Sequence, residues 1–180
     1  AGDALTTSTR NTVLGYAALG SETVGQYSVA IGYGSLSTQN NTGGGNIYNT
    51  AVGYNAGNAV TTGTNNTLIG GLAGDSLTDA DFNVAIGRSS LSLDTTGSFS
   101  TAVGALALAN QNFSSATDSH NTALGYSAGS NITTGTVNTI IGSLAGDALT
   151  EGNNNVAIGY VALSGDTLGD RTVAIGRNAL

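Results

Sequence analysis

The chain lacks cysteine, proline, methionine, tryptophan and lysine, and its 180 residues include only four arginines and one histidine. Without cysteine it forms neither disulfides nor thiolate metal sites. Its net charge of −7 at pH 7 and its scattered arginines leave no basic cluster for phosphate groups, so we expect no nucleic-acid partner. No apolar run approaches the length of a membrane span, which predicts no membrane insertion by this segment.

Glycine and small aliphatic residues dominate instead, with 28 glycines, 39% hydrophobic residues and only 8% charged ones. One pattern repeats throughout: Asn or Ser, Thr or Val, a small or aliphatic residue, Ile, Leu or Val, and then Gly. Two variable positions, an Ala or Ser and a Leu or Gly follow. Ten copies align on the motif glycine: Gly15, Gly32, Gly53, Gly70, Gly87, Gly104, Gly125, Gly142, Gly159 and Gly176.

Two periods are nested in this repeat. Successive motif glycines lie 17 residues apart, except for two intervals of 21 residues, which contain residues 37–49 and 109–121. The longer interval recurs after 72 residues, so residues 49–108 and 121–180 are two copies of one repeated sequence. We interpret residues 1–180 as a single repeat domain of 2.5 copies of the 72-residue unit, which starts and stops inside that unit and is part of a longer fibre.

The pattern of each unit predicts a short strand, a bend at the glycine and a second short strand. Alternation by two places Val29 and Ile31 on one face, and Ala30 on the opposite, outer side. No segment sustains a helical stripe, and a 17-residue unit is too short for a helical hairpin. The sequence therefore predicts an all-β fold, a parallel β-solenoid of about ten coils whose equivalent strands stack into sheets.

The asparagine that opens most units is a candidate structural residue. Stacked in register, side-chain amides hydrogen-bond along a ladder, and Asn also tolerates left-handed turn conformations. The motif glycine permits a bend that other residues make only at a cost. The predicted ladder consists of Asn11, Asn49, Asn66, Asn83, Asn121, Asn138 and Asn155.

Tyrosine follows the motif glycine in five of the ten units, which makes this position a candidate surface contact. Stacked aromatic rings on one face are able to bind sugars or another protein. A structural role is favoured, in which the ring lies over the coil edge or at a subunit boundary with its hydroxyl in water. The five residues are Tyr16, Tyr33, Tyr54, Tyr126 and Tyr160.

The motif itself resembles a known family. The runs SVAIG at 28–32 and NVAIG at 83–87 and 155–159 resemble the head repeats of trimeric autotransporter adhesins. Units such as 49–57 and 138–146 are similar to repeats of bacteriophage tail fibres and bacterial surface fibres. The resemblance covers all ten units and implies a left-handed parallel β-roll that assembles as a trimer. The 17-residue unit is longer than the usual repeat of those heads.

The acidic residues offer no convincing catalytic group. Asp3, Asp75 and Asp147 recur at one turn, where an Asx-type hydrogen bond in a solvated turn is favoured over catalysis. Binding of a structural calcium ion at these turns is an alternative that the sequence leaves open. His120 lies near Asp118 without a further partner and reads as a polar loop residue. Ice binding is disfavoured because the threonine position alternates with valine. We expect no enzyme activity, cofactor or metal.

The sequence thus favours a non-enzymatic structural or adhesive segment of an extracellular, cell-surface or virion fibre. Small side chains permit close approach of another chain, so a homo-oligomer is expected, with a trimer preferred. Two alternatives remain. The chain acts as a glycan- or receptor-binding fibre domain through residues 37–49 and 109–121, contacting a host-cell glycan or protein, or it is a subunit of a self-assembling extracellular filament.

Overall fold

The computed structural model describes residues 1–180 and contains strands and turns but no helix. One parallel sheet of ten three-residue strands runs the length of the molecule in chain order, and two small two-stranded parallel sheets lie beside it. The predicted all-β parallel solenoid is confirmed. The strands are β1 Thr12–Leu14, β2 Gly25–Gln26, β3 Val29–Ile31, β4 Gly45–Asn46, β5 Thr50–Val52, β6 Thr67–Ile69, β7 Val84–Ile86, β8 Gly97–Ser98, β9 Thr101–Val103, β10 Thr117–Asp118, β11 Thr122–Leu124, β12 Thr139–Ile141, β13 Val156–Ile158 and β14 Val173–Ile175.

Each strand of the long sheet pairs with the equivalent strand of the next coil. Thr67 pairs with Val84 across a 17-residue coil, and Val29 pairs with Thr50 across a 21-residue coil. Register is therefore unchanged by the longer coils, because their extra residues lie outside the main sheet. Residues 37–49 instead place β4 beside β2, and residues 109–121 place β10 beside β8.

The expected orientation of the main strands is wrong. The central residue, such as Ala30 or Ala85, points inward and is fully buried, whereas Val29 and Ile31 point outward and stay partly exposed. The coil is thin, and the alanine that most coils place here lets the opposite wall of the same coil pack against it. The core is consequently a narrow cluster of 26 buried residues along the axis of the solenoid.

In the first nine coils a buried aliphatic side chain after the motif glycine fills the core, and it comes from one of two positions. Some coils place a leucine four residues after the motif glycine and a polar residue three positions later, as in Leu36 and Gln39. Others place glycine and then a large aliphatic residue, as in Gly74 and Leu77. A Cβ on Gly74 would lie 2.8 Å from side-chain carbons of Leu68 and Leu77. The order Leu, Leu, Gly, Gly in successive coils therefore reflects which of the two sequence positions supplies the side chain that fills this part of the core.

A second short strand after the motif glycine occurs in only four coils, as β2, β4, β8 and β10, and the residues that directly follow the glycine form turns. The residues two and four positions after the glycine have positive φ, for example 56° at Ala17 and 47° at Leu19, and they form consecutive turns. A left-handed residue other than glycine costs about 1–2 kcal/mol. Burial of a side chain such as Leu19 offsets that cost. Alternation of residue types does not reveal such turns.

The motif glycines bring the backbones of successive coils into close contact. Gly15 has φ of 124°, and a Cβ there would lie 2.5 Å from the carbonyl oxygen of Gly32 in the next coil. Gly176, in the last coil, has φ of 126° and no atom within 4 Å of such a Cβ. The two positions therefore share the backbone strain of a side chain at positive φ and differ in the steric clash alone.

We predict that Gly15→Ala destabilises the protein by about 1–3 kcal/mol more than Gly176→Ala. Both substitutions lie in terminal coils, so fraying affects them alike. Urea unfolding followed by far-ultraviolet circular dichroism measures the difference. Equal losses would show that backbone strain, rather than the approach of the next coil, requires glycine here.

Candidate functional site

The outward side of the ten-stranded sheet is uncharged and largely apolar; we call it the outer face. Its two columns comprise the first and the third residue of every main strand. Exposure is highest in the end coils, where Leu14 is 66% and Ile175 is 64% exposed. The first column is Thr12, Val29, Thr50, Thr67, Val84, Thr101, Thr122, Thr139, Val156 and Val173. The second is Leu14, Ile31, Val52, Ile69, Ile86, Val103, Leu124, Ile141, Ile158 and Ile175.

The residues after the motif glycines form a further column along one edge of the outer face, the post-glycine column. Tyr16, Tyr33 and Tyr54 stack along it, with ring centroids 5.4 and 5.6 Å apart. Tyr126 and Tyr160 stand apart, two coils from each other, and the guanidinium of Arg177 lies 5.7 Å from the ring centroid of Tyr160. The five candidate tyrosines therefore share one edge, three as a stack and two as separate rings.

A second column, which sequence reasoning missed, precedes the opening residue of each unit and is aromatic in five of the ten units. Tyr27 stacks on Tyr48, and Phe82, Phe99 and His120 form a stack with centroids 5.1 and 5.4 Å apart. Every residue of this column has positive φ, including 49° at His120. His120 is thus part of an aromatic stack and not an isolated loop residue. The signal was available in the alignment as an aromatic ring one position before the motif.

The asparagines lie inside the coil and join each coil to the next. Asn83 Oδ1 accepts a hydrogen bond from the backbone N–H of Ser100 at 2.8 Å, and its Nδ2 donates to the Gly97 carbonyl at 2.9 Å. The left-handed conformation belongs to the preceding residue, Phe82, so that part of our expectation is wrong. Equivalent bonds to the next coil are made by Asn11, Asn49, Asn66, Asn121, Asn138 and Asn155.

The coil before each 21-residue coil contains a buried carboxylate that no cation accompanies. Glu22 is fully buried, and its Oε1 accepts hydrogen bonds from the three following backbone N–H groups at 2.8–3.1 Å. Its Oε2 accepts from Gln39 Nε2 at 3.0 Å and from the Asn41 N–H at 3.2 Å. Gln39 Oε1 in turn accepts from Asn49 Nδ2 at 2.9 Å. The network anchors residues 37–49 to the preceding coil and to the asparagine ladder.

The same network recurs 72 residues later with a shorter carboxylate. Asp94 is buried, accepts from the Gly97 N–H at 3.0 Å and from Gln111 Nε2 at 2.6 Å. Gln111 Oε1 accepts from Asn121 Nδ2 at 2.8 Å. Segments 37–49 and 109–121 are therefore built around buried polar side chains, and only their tips, near residues 42–46 and 114–118, are broadly exposed.

Hydrogen bonding decides the charge state of Glu22. Burial alone raises its pKa, but hydrogen bonds from the Gly25 N–H, the Gln39 amide and two further N–H groups outweigh burial and hold the pKa below its ordinary value of 4.5. The ionised carboxylate is thus the form that the folded chain prefers.

The recurring aspartates behave differently from our expectation. Asp75 Oδ1 and Asp147 Oδ1 are shielded from solvent and accept no hydrogen bond, so the expected Asx-type bond is absent. Burial raises the pKa of Asp75, with only its own backbone N–H opposing the shift. No group of three or more His, Asp or Glu side chains is placed to hold a metal ion.

No family model, curated protein or solved structure matches the chain. The structure has no enclosed pocket, and it has no helix with the length and apolar character needed to cross a membrane. The candidate functional surface is therefore the outer face with its two flanking columns.

We predict that Asn83→Ala destabilises the protein by about 2–4 kcal/mol, because it leaves the buried Ser100 N–H and Gly97 carbonyl without partners. Asn112→Ala is the control, since Asn112 is exposed, and it should change stability by less than about 0.5 kcal/mol. Urea unfolding measures both variants. Similar effects from the two would contradict a structural role for the buried ladder.

Glu22→Gln should destabilise the protein most at neutral pH. The folded-state pKa of Glu22 is lowered, so its contribution to stability is complete above the ordinary value of 4.5 and is lost as pH falls through the folded-state pKa. The difference in unfolding free energy between the chain and Glu22→Gln should therefore shrink between pH 7 and pH 3. Glu151→Gln, at an exposed turn, controls for removal of one charge. A difference independent of pH would contradict this assignment.

Proposed function

We propose that the chain is a non-enzymatic structural segment of an extracellular, cell-surface or virion fibre that assembles with copies of itself through the outer face. The observation that carries the proposal is the outer face itself, which presents twenty outward Thr, Val, Ile and Leu side chains and no charge. A continuous apolar surface of this kind on a single chain is typical of an interface.

The size of the surface supports this reading. Ten rungs spaced by about 4.8 Å make the outer face roughly 45 Å long, and the outer face together with the post-glycine column is about 13 Å wide. Their combined area is on the order of 600 Å², which approaches the ~800 Å² that each partner contributes to a standard interface. Small aliphatic side chains on a continuous sheet let another such sheet approach along its length.

A trimer is the preferred assembly. Three parallel copies around one axis turn every outer face inward and leave none exposed, and the closed symmetry keeps the rods in line with a fibre. The resemblance of the SVAIG and NVAIG runs to trimeric adhesin heads points in the same direction. In this arrangement the two flanking columns line the grooves between adjacent copies.

We predict that the double variant Ile86→Lys and Ile158→Lys converts the oligomer to a folded monomer. Both side chains point outward, so lysine is compatible with the coil but not with an apolar interface. Sedimentation velocity measures the mass, and circular dichroism checks the fold. The matched control is Asp79→Lys with Glu151→Lys, two exposed turn residues that also lie 72 positions apart.

The control should sediment as the unmodified chain does. A monomeric unmodified chain, or a lysine double variant that keeps the mass of the oligomer, would refute assembly through the outer face. A mass other than three chains would refute the trimer and keep the interface.

A further inference from the structure

The position five residues after the motif glycine meets acceptor groups of the preceding coil. In the third coil this residue is Asn58, whose Nδ2 donates hydrogen bonds to the Gly34 carbonyl at 3.1 Å and to Ser37 Oγ at 2.7 Å. Gly34 and Ser37 both belong to the second coil, so the Asn58 amide joins the two coils. A side chain at this position therefore stabilises the contact between coils when it supplies a hydrogen-bond donor.

Asp75 occupies the same position in the fourth coil and, as a carboxylate, supplies no donor. Its Oδ1 is shielded from solvent and has no hydrogen-bond partner. The carbonyl equivalent to that of Gly34 is the carbonyl of Asn55, because both residues lie two positions after a motif glycine and have positive φ, 67° and 52°. The repeat thus sets the shielded oxygen of Asp75 against another acceptor, which is unfavourable as long as the carboxylate is ionised.

No neighbouring charge compensates an ionised Asp75. The three coils concerned, residues 49–99, contain one cation, Arg88, and it forms no ion pair. The other titratable residues of these coils are Tyr54, Asp79, Asp81 and Asp94. Their carboxylates add negative charge only. Burial accordingly raises the pKa of Asp75 above its ordinary value of 3.8.

We propose that Asp75 is an acid-responsive link between the third and fourth coils. As the pH falls below neutral, Asp75 Oδ1 takes up one proton from the solvent and donates it in a hydrogen bond to the Asn55 carbonyl, as Asn58 donates to Gly34. At higher pH the carboxylate is ionised and the link is absent. The contact between these coils is therefore tighter in acid, through a residue that belongs neither to the asparagine ladder nor to the outer face.

Asp75→Asn tests the link because it supplies the donor at every pH. It should raise the midpoint of urea unfolding at pH 7 by about 0.5 M. The cost of the charged Asp75 is present above its raised folded-state pKa and disappears as pH falls towards the unfolded value of 3.8. The difference in midpoint between Asp75→Asn and the unmodified chain should therefore shrink between pH 7 and pH 3.5. Circular dichroism follows unfolding at one fixed protein concentration.

Two further variants separate the donor from the loss of charge. Asp79→Asn removes the same charge at an exposed position of the same coil and should move the midpoint little at either pH. Asp147→Asn places the donor at the equivalent position 72 residues later, where Oδ1 is likewise shielded and without a partner. It should raise the midpoint at pH 7 as Asp75→Asn does.

The inference is overturned if Asp75→Asn leaves the midpoint at pH 7 unchanged or lowers it, or if Asp79→Asn raises it equally. A gain that is the same at pH 7 and pH 3.5 also overturns it, as does an Asp147→Asn variant without a gain. The carboxyl ¹³C chemical shift of Asp75 in the folded chain is an independent readout, and a titration midpoint at or below 3.8 would contradict proton uptake. The link lies within one chain, so these outcomes do not depend on assembly through the outer face.

Discussion

The hydrogen bonds between parallel strands of successive coils set the geometry on which every other feature depends. They hold each residue about 4.8 Å from its equivalent in the next coil, so a side chain always packs beside the side chain one repeat later. Asn in such a column forms a ladder and Tyr forms a stack. Glycine at the bend lets two backbones meet, as between Gly15 and Gly32. The repeat in the sequence follows from this fixed contact between equivalent residues of successive coils.

The packing of equivalent residues one coil apart also accounts for the scarcity of charged side chains. Two like charges one rung apart repel, and no carboxylate in this chain lies beside another in its column. Glu22 is followed by Gln39 and Asp94 by Gln111, so that each buried carboxylate has an amide donor on the next rung. Proline is absent for a related reason, since each strand N–H donates to a neighbouring coil. The 72-residue period arises because coils with these polar pairs alternate in pairs with coils whose core residue, such as Leu77, occupies the other position.

The spacing of the motif glycines was sufficient to predict strand positions, the number of coils and their register, because each of these follows from the repeat length. The inside and outside of the strand could not be predicted in this way. Ala30 and its neighbours Val29 and Ile31 are all apolar, so alternation identifies two faces without saying which is buried. The narrow width of the coil decides which face is buried, and that width is known only from the folded structure.

The left-handed turns at Ala17 and Leu19 were missed because their residue types give no sign of positive φ. The stack of Phe82, Phe99 and His120 was missed because it lies one position before the motif.

The burial pattern separates two kinds of constraint on this sequence. Residues of the ladder and the glycine bend contact the next coil directly, so a change there disturbs two coils at once. Residues of the outer face have to stay apolar and of similar size if copies pack along it, which matches its restriction to Thr, Val, Ile and Leu. The post-glycine column lies beyond the bend and obeys neither constraint, and it holds Tyr, Gly, Arg, Ala and Ser. A single substitution in this column changes one exposed side chain without altering the coil, the ladder or the outer face. This edge of the rod can therefore vary while the fold and the proposed assembly stay the same.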